Sequence, residues 1–404
     1  MEGQHIPDDL KTGRIRLASV ITLGHAVKHI YNSGLLKILL PEIKVSMELN
    51  GAQYGLLVAA RQATSWGTTI LSGYLSDRFV NKSAIILGFS LGLLGLAFYI
   101  AGNAPNYMGM LGAMLLAGFS PSLFHPPAIG TLSRHFPDRR GFAISLHGTG
   151  GIAGEVIGPI VVALLLGIMS WRGILQIGLF PALVAGILTW ATVRTISQKT
   201  EEILSIKHYF LSIVKMFKNT SMILLVILTA LRSMSDTAVG GFLPVYLRED
   251  LEFSYFRMAF YLALSHVAGL ITQPVMGFLS DKFGRKSILL PGMAANAITT
   301  YGLSLFKSGP LLAITVIASG AFSFSLHHII IASAIDAVQG QIQSTVVSLI
   351  YGAGFLGTFS PYVAGLIVDS FGTRSAFLYA GSIALLATIM LIPVRLPKTI
   401  QQTK

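Results

Sequence analysis

Long apolar runs fill most of the chain, and polar residues cluster in the short connections between them. A helix needs about 20 apolar residues to cross the hydrocarbon core of a bilayer, whereas a membrane strand needs about 10 with strict alternation. These runs are long and do not alternate, so the pattern predicts twelve transmembrane helices. The runs lie near 16–40, 52–76, 84–102, 107–131, 141–168, 172–193, 221–246, 256–279, 287–306, 309–333, 343–368 and 374–396.

Composition supports a membrane protein. Of the 404 residues, 53% are hydrophobic and 11% are charged, whereas a typical soluble domain carries about 25% charged residues. So few charges exclude an ordinary soluble enzyme and a disordered chain. The absence of cysteine excludes disulfides and cysteine-ligated metals. The net charge is +12, and the charged residues lie mostly between the apolar runs. This distribution favours a membrane protein over a nucleic-acid-binding protein.

The distribution of basic residues predicts the orientation, because cytoplasmic connections carry an excess of Lys and Arg. One set of alternate connections holds 19 of the 29 Lys and Arg residues, the other set holds 6, and 4 lie inside the runs. Both termini and the long 194–220 connection are therefore predicted to be cytoplasmic. We expect a multi-pass protein of the inner or plasma membrane.

An internal repeat divides the chain. The segment 73–83 recurs at 277–287 with an offset of 204 residues, and the segment 119–125 resembles 322–328 at an offset of 203. A shared offset along the chain indicates two parallel halves of six helices each. The predicted parts are an N-terminal half (1–195), a cytoplasmic linker (196–220) and a C-terminal half (221–404).

The repeated segments resemble the signature loop of the major facilitator superfamily, Gly-x-Leu-x-Asp-(Arg/Lys)-x-Gly-(Arg/Lys)-(Arg/Lys), between helices 2 and 3 and between helices 8 and 9. The second copy fits in full, whereas the first has Val80 and Asn81 where Gly and a basic residue are usual. The resemblance implies a non-enzymatic solute carrier that works by alternating access. The gating-loop residues it implies are Gly73, Asp77, Arg78, Gly277, Asp281, Gly284 and Arg285.

Two further segments resemble branches of the superfamily. Residues 150–159, with the sequence Gly-Gly-Ile-Ala-Gly-Glu-Val-Ile-Gly-Pro, are similar to the antiporter motif of drug exporters. Small residues at this spacing also allow close helix packing, so both interpretations stay open. Residues 120–126, Ser-Pro-Ser-Leu-Phe-His-Pro, resemble the fosmidomycin-resistance branch, which implies proton-driven export of small polar or anionic toxic compounds.

Ionisable residues inside the runs indicate a site, because charges at membrane depth are costly and usually face a cavity. Along the first helix, polar residues recur with spacings of three and four from His25 to Asn32, so they share one face. We expect a positively charged cavity between the halves, in which guanidinium groups clamp an anion. The candidate substrate-binding residues are Lys28, Arg61, His125, Arg232, His25, His29, Asn32 and His328.

Proton coupling requires a group that titrates, and imidazole titrates nearest to physiological pH. The candidate proton carriers are Asp236, Glu155 and His125. Arg232 and Asp236 lie four residues apart, so a purely structural ion pair is an open alternative to a substrate role. Pro126 and Pro127 are expected to break or kink the fourth helix.

His147 and His266 are expected to be buried imidazoles that are hydrogen-bonded to neighbouring helices. No metal or other cofactor is expected. Adjacent His327 and His328 point about 100° apart on a helix, and the chain has no phosphate-binding Gly-Lys-Ser/Thr loop.

The sequence predicts a secondary transporter for a small anionic or zwitterionic solute, with proton-coupled export by antiport favoured. The alternative is uptake of an organic anion by proton symport, which the same basic cavity would serve. A channel is disfavoured because two six-helix repeats suit rocking halves better than a fixed pore. The expected partners are the substrate, protons and membrane lipids, with no nucleic acid, and we expect a monomer.

Overall fold

The computed structural model describes residues 13–136, 140–195, 217–337, 343–394 and 396. Every regular element within these residues is a helix, which confirms the all-α fold class. The α-helices are α1 (Arg14–His29), α2 (Leu36–Ser46), α3 (Gly51–Arg78), α4 (Ser83–Gly102), α5 (Tyr107–His135), α6 (Arg140–Leu165), α7 (Trp171–Ile177), α8 (Leu179–Val193), α9 (Thr220–Val245), α10 (Tyr255–Phe283), α11 (Arg285–Leu305), α12 (Gly309–Ala337), α13 (Gln343–Ala353), α14 (Ser360–Phe371) and α15 (Arg374–Leu391).

Ten helical stretches of the described residues are long and apolar enough to cross a membrane. They correspond to the third to twelfth apolar runs. The first two runs are also helical. In the first, a π-helical segment (Ile30–Leu35) joins α1 to α2, and the second forms α3. These two stretches carry the charged residues Lys28 and Arg61, and a count of twelve spans stays a prediction.

Three prolines lie inside α5, which nevertheless extends without interruption from Tyr107 to His135. The helix is therefore not broken near Pro126 and Pro127, and a kink there stays a prediction. Membrane helices tolerate proline when other groups satisfy the carbonyls that lose their intrahelical partner. The unbroken helix holds Phe124 in the buried core and presents His125 next to it.

The chain forms two compact units. Unit 1 contains Met1–Ile43 and Ala60–Ile203, and unit 2 contains Lys44–Ala59 and Leu204–Lys404. Each has its own apolar core, which buries side chains from several helices away from water and lipid. The core of unit 1 includes Leu17, Ile21, Leu87, Leu91, Phe124 and Leu132. The core of unit 2 includes Met222, Leu225, Leu289, Leu326, Ile330 and Leu391.

Polar contacts attach the segment Lys44–Ala59 to the rest of unit 2. The carboxylate of Asp369 accepts hydrogen bonds from the backbone N–H groups of Gly51, at 2.5 Å, and Ala52, at 2.9 Å. These N–H groups open α3 and have no partner inside the helix, so a carboxylate there satisfies them and complements the helix dipole. Lys44 Nζ also donates to Glu249 Oε2 at 2.5 Å.

We predict that Asp369→Ala lowers the stability of the protein by about 1 kcal/mol, the usual contribution of a helix N-terminal cap. Thermal unfolding of purified protein in detergent measures the effect. The matched control is Ser370→Ala, which changes the next, exposed residue of the same helix. An equal midpoint for both variants would mean that the Asp369 cap contributes nothing.

Candidate functional site

α6 packs closely against α1 and the π-helical segment that follows it. This packing places the polar face from His25 to Asn32 inside unit 1. A Cβ atom added to Gly150 would collide with the backbone oxygen of Thr22, and one added to Gly154 with that of Ala26. The small residues of segment 150–159 therefore have a packing role, because only glycine allows the two backbones to approach this closely. The packing interpretation of this segment has direct geometric support.

Four imidazoles meet where these helices touch α5, and we call them the histidine cluster: His25, His29, His125 and His147. The rings of His25 and His147 stack with centroids 3.8 Å apart and an angle of 10° between their planes. The His25 ring lies 4.6 Å from that of His29 and 4.8 Å from that of His125, centroid to centroid, both edge to face. Gly151 makes room for this arrangement, because a Cβ there would lie 2.7 Å from Cε1 of His25.

Hydrogen bonds fix the orientation of the cluster. His25 Nδ1 lies 2.7 Å from the carbonyl oxygen of His147, and because a carbonyl only accepts, this nitrogen carries the proton and donates. Lys28 is 2% exposed, and its ammonium group bonds to Nε2 of His125. His29 Nδ1 pairs with Glu155 Oε1 at 3.0 Å.

Arg61 contacts the π-helical segment next to the histidine cluster. Its Nη1 donates to Oδ1 of Asn32 at 3.2 Å. Because an amide is neutral, this contact orients the guanidinium group without cancelling its charge. Lys28, Lys37 and Arg61 give this part of unit 1 three cations near the carboxylate of Glu155. The predicted residues of the first helix therefore lie together with Arg61, His125 and Glu155.

A second charged group lies in unit 2. Arg232 Nη2 is 2.8 Å from Asp236 Oδ2, and it also donates to the backbone oxygen of Ser323 at 2.9 Å. The hydroxyl of Ser323 donates to Asp236 Oδ1 at 2.8 Å, which closes a small network. Ser323 is not among the predicted site residues, although it lies in segment 322–328 of the internal repeat. The charges of this pair balance, unlike those around Lys28.

His328 does not join this network directly. It is exposed, its Nδ1 lies 3.2 Å from the backbone oxygen of Phe324 on its own helix, and its ring contacts that of His327.

Two other histidines, one in each unit, are held in different ways. We expected His147 and His266 to be hydrogen-bonded to neighbouring helices. His266 Nδ1 lies 2.7 Å from the carbonyl of Leu262 on its own helix, and its ring packs against that of Phe324 on α12. Neither ring nitrogen of His147 has a hydrogen-bond partner among the described residues, although the side chain is buried. Within the described residues, the ring of His147 stacks on the rings of His25 and Phe124.

The second signature loop forms a charge network at the junction of α10 and α11. Arg285 pairs with Asp281, and its Nε donates to Asp336 Oδ2 at 2.9 Å. Asp336, on α12, was not singled out in the sequence. Gly284 has a φ of 92°, a left-handed conformation that explains the glycine at this turn. In the first copy, Gly73, Asp77 and Arg78 lie in α3, but their side chains are outside the described residues.

A family model described as Major Facilitator Superfamily matches residues 28–270 and 225–404 of this chain. The chain belongs to the major facilitator superfamily. It is accordingly a secondary transporter of small molecules and not an enzyme, and it is a multi-pass integral protein of the plasma membrane.

Relatives across the superfamily cover most of the chain. The uncharacterised MFS-type transporter YfnC of Bacillus subtilis (strain 168) is 25% identical over 91% of this chain and 90% of its own length. The multidrug resistance protein MdtG of Yersinia enterocolitica is 25% identical over 80% of this chain and 76% of its own length. The solved structure of the nucleoside transporter NupG has a TM-score of 0.79 at 13% identity, covering 95% of this chain and 99% of that one. This last likeness shows the superfamily fold.

We predict that Gly154→Ala lowers the stability of unit 1 by about 1–3 kcal/mol, because the added methyl group forces the first helix away from α6. Gly148→Ala is the matched control, since a Cβ at Gly148 has no atom within 4 Å. Alanine favours a helix over glycine, so the control should unfold at the same or a slightly higher temperature. Thermal unfolding in detergent compares the two, and equal losses in both variants would contradict the packing role.

Proposed function

We propose that this transporter exports a small zwitterionic or anionic solute in exchange for protons, by alternating access of two six-helix halves. In this proposal the chain has twelve spans, cytoplasmic termini and a monomeric state within the lipid. The observation that carries it is the excess positive charge in unit 1, where buried Lys28 and partly buried Lys37 and Arg61 lie near the carboxylate of Glu155. Buried charges in membrane segments usually serve a substrate or ion path.

Arg61 is the residue that we assign to the anionic group of the substrate. A planar guanidinium matches the geometry of a carboxylate, phosphate or phosphonate, and its charge persists at any physiological pH. The neutral amide of Asn32 orients it without neutralising it. Lys28 adds a point charge close by, held by an imidazole that stays neutral while it accepts from the ammonium.

Exchange of the substrate for protons needs a carboxylate that binds the substrate and the proton alternately. Asp236 meets this need if the substrate carries an ammonium group, because the substrate cation and the proton then compete for one carboxylate. Its partners, Arg232 and the hydroxyl of Ser323, hold the carboxylate in position. The resemblance of segment 120–126 to fosmidomycin-resistance carriers supports export, as does the likeness to the multidrug resistance protein MdtG.

Proton symport of an organic anion is the second candidate, and the ion pair of unit 2 favours it. Protonation of Asp236 would release Arg232 for an anion, so the proton and a purely anionic substrate would bind together. The charge of the substrate therefore distinguishes the two mechanisms. A zwitterion should be exchanged for protons, whereas a simple anion should travel with them.

We predict that Arg61→Ala and Arg232→Ala each reduce transport at least tenfold while leaving expression and membrane insertion intact. Loss of the guanidinium removes a charge-assisted contact, which contributes about 1.5–3 kcal/mol. Arg257→Ala is the control, because Arg257 is exposed and stacks on Phe253. Transport of radiolabelled solute into or out of proteoliposomes measures the effect. Normal rates in both test variants would refute the anion clamp.

A second prediction concerns coupling. Asp236→Asn should still exchange solute across the membrane but should no longer concentrate it in response to a pH gradient, because asparagine cannot carry a proton. Glu155→Gln tests the carboxylate of unit 1 in the same assay. If Asp236→Asn keeps pH-driven accumulation and Glu155→Gln loses it, the coupling proton belongs to unit 1. If both variants keep it, neither carboxylate carries the proton.

A further inference from the structure

Three imidazoles of the histidine cluster converge from three different helices. His25 lies on α1, His125 on α5 and His147 on α6, and each offers one nitrogen such that the three nitrogens lie within 4.8 Å of one another. Among the described residues, this is the one group of three or more histidine and acidic residues with such spacing. We propose that His25, His125 and His147 bind a divalent transition-metal ion of the kind that prefers imidazole, such as Zn²⁺.

The tautomer of His25 supports this role. Because Nδ1 donates to the carbonyl of His147, the neutral ring carries its lone pair on Nε2. That nitrogen is buried and has no hydrogen-bond partner among the described residues. A metal-binding histidine usually has this arrangement, with one N–H donated to a carbonyl or carboxylate and the other nitrogen directed at the ion.

His147 supplies the second independent observation. Its side chain is 3% exposed, and neither ring nitrogen has a hydrogen-bond partner within the described part of the chain. Buried polar atoms are nearly always paired, and an unpaired one requires an explanation such as an ion. A bound metal would satisfy one nitrogen of His147 and Nε2 of His25 at the same time.

The rings have to rotate for an ion to bind, because a metal lies close to the plane of the imidazole that binds it, whereas the planes of His25 and His147 are nearly parallel. A zinc–nitrogen bond of about 2.0–2.1 Å places tetrahedral ligand atoms about 3.3 Å apart, so the most distant pair has to close by about 1.5 Å. Three histidines leave a fourth coordination position open. Glu155 lies one step away through its contact with His29, and its charge would partly offset that of the ion.

Lys28 opposes the metal in the arrangement described. Its ammonium group bonds to Nε2 of His125 and therefore occupies a lone pair that the ion needs. The ion and the ammonium group also repel each other, so metal binding requires Lys28 to turn away. Removing the amine should consequently strengthen metal binding, whereas a cluster with no capacity for a metal would gain nothing from that change.

Titration of purified, tag-free protein in detergent with Co²⁺ tests the proposal, because Co²⁺ in a tetrahedral site has a characteristic visible absorption. We expect one site per chain in the wild type, displaced by Zn²⁺. The affinity should rise at least tenfold in Lys28→Ala and fall at least tenfold in His147→Ala and in His25→Gln. His266→Ala, which removes a buried histidine of unit 2, should bind as the wild type does.

Gel filtration and thermal unfolding confirm that each variant is folded before it is titrated. If His147→Ala does not fold, His25→Gln gives the same test, since glutamine retains a donor for the carbonyl of His147. The absence of saturable Co²⁺ binding in both the wild type and Lys28→Ala would overturn the proposal. Binding that is unchanged in the folded His147 and His25 variants would overturn it as well. None of these measurements depends on transport.

Discussion

The site in unit 1 depends on the close approach of the first helix to α6. Gly150 and Gly154 lie against the backbone of the first helix, and Gly151 lies against the ring of His25. Without this approach, His25 could not stack on His147, and His29 could not reach Glu155. In a lipid environment the helices gain little from apolar burial against one another, so close packing and interhelical hydrogen bonds hold them together. The same glycines thus provide both the stability and the geometry of the site.

The two units handle buried charge in different ways. In unit 2, Arg232 and Asp236 form a balanced pair that Ser323 completes. In unit 1, the cations Lys28 and Arg61 bond to an imidazole and an amide, which leave their charges in place. An unbalanced buried charge is costly, and it is retained in membrane proteins mainly where a mobile ion or substrate compensates it. This asymmetry is the reason to assign the anionic group of the substrate to unit 1.

Sequence periodicity predicted the features that depend on a single helix. The polar face from His25 to Asn32 followed from its spacing, and the pairing of Arg232 with Asp236 followed from their separation of four residues. The all-helical class and ten of the apolar spans followed from hydropathy. The continuity of α5 through Pro126 did not, because whether neighbouring groups satisfy the freed carbonyls depends on tertiary packing.

The periodicity of a single helix does not predict contacts between distant segments of the chain. Lys28 and His125 are 97 residues apart, and their contact depends on how α1 packs against α5. Asp336 joins Arg285 for the same reason, and no local pattern indicated it. His147 resembled any buried histidine until its neighbours were known. The repeat offset did carry some of this information, because segment 322–328 contains Ser323, which bonds to Asp236.

In the proposed mechanism, a positively charged site within the helices couples movement of a solute to movement of protons. Wild-type protein in proteoliposomes that contain a pH-sensitive dye tests it most directly, with zwitterions, carboxylates, phosphonates and organic cations added outside in turn. We predict a proton flux that depends on one zwitterionic or anionic compound, with protons moving opposite to a zwitterion. A response to organic cations alone, with none to any anion or zwitterion, would contradict it.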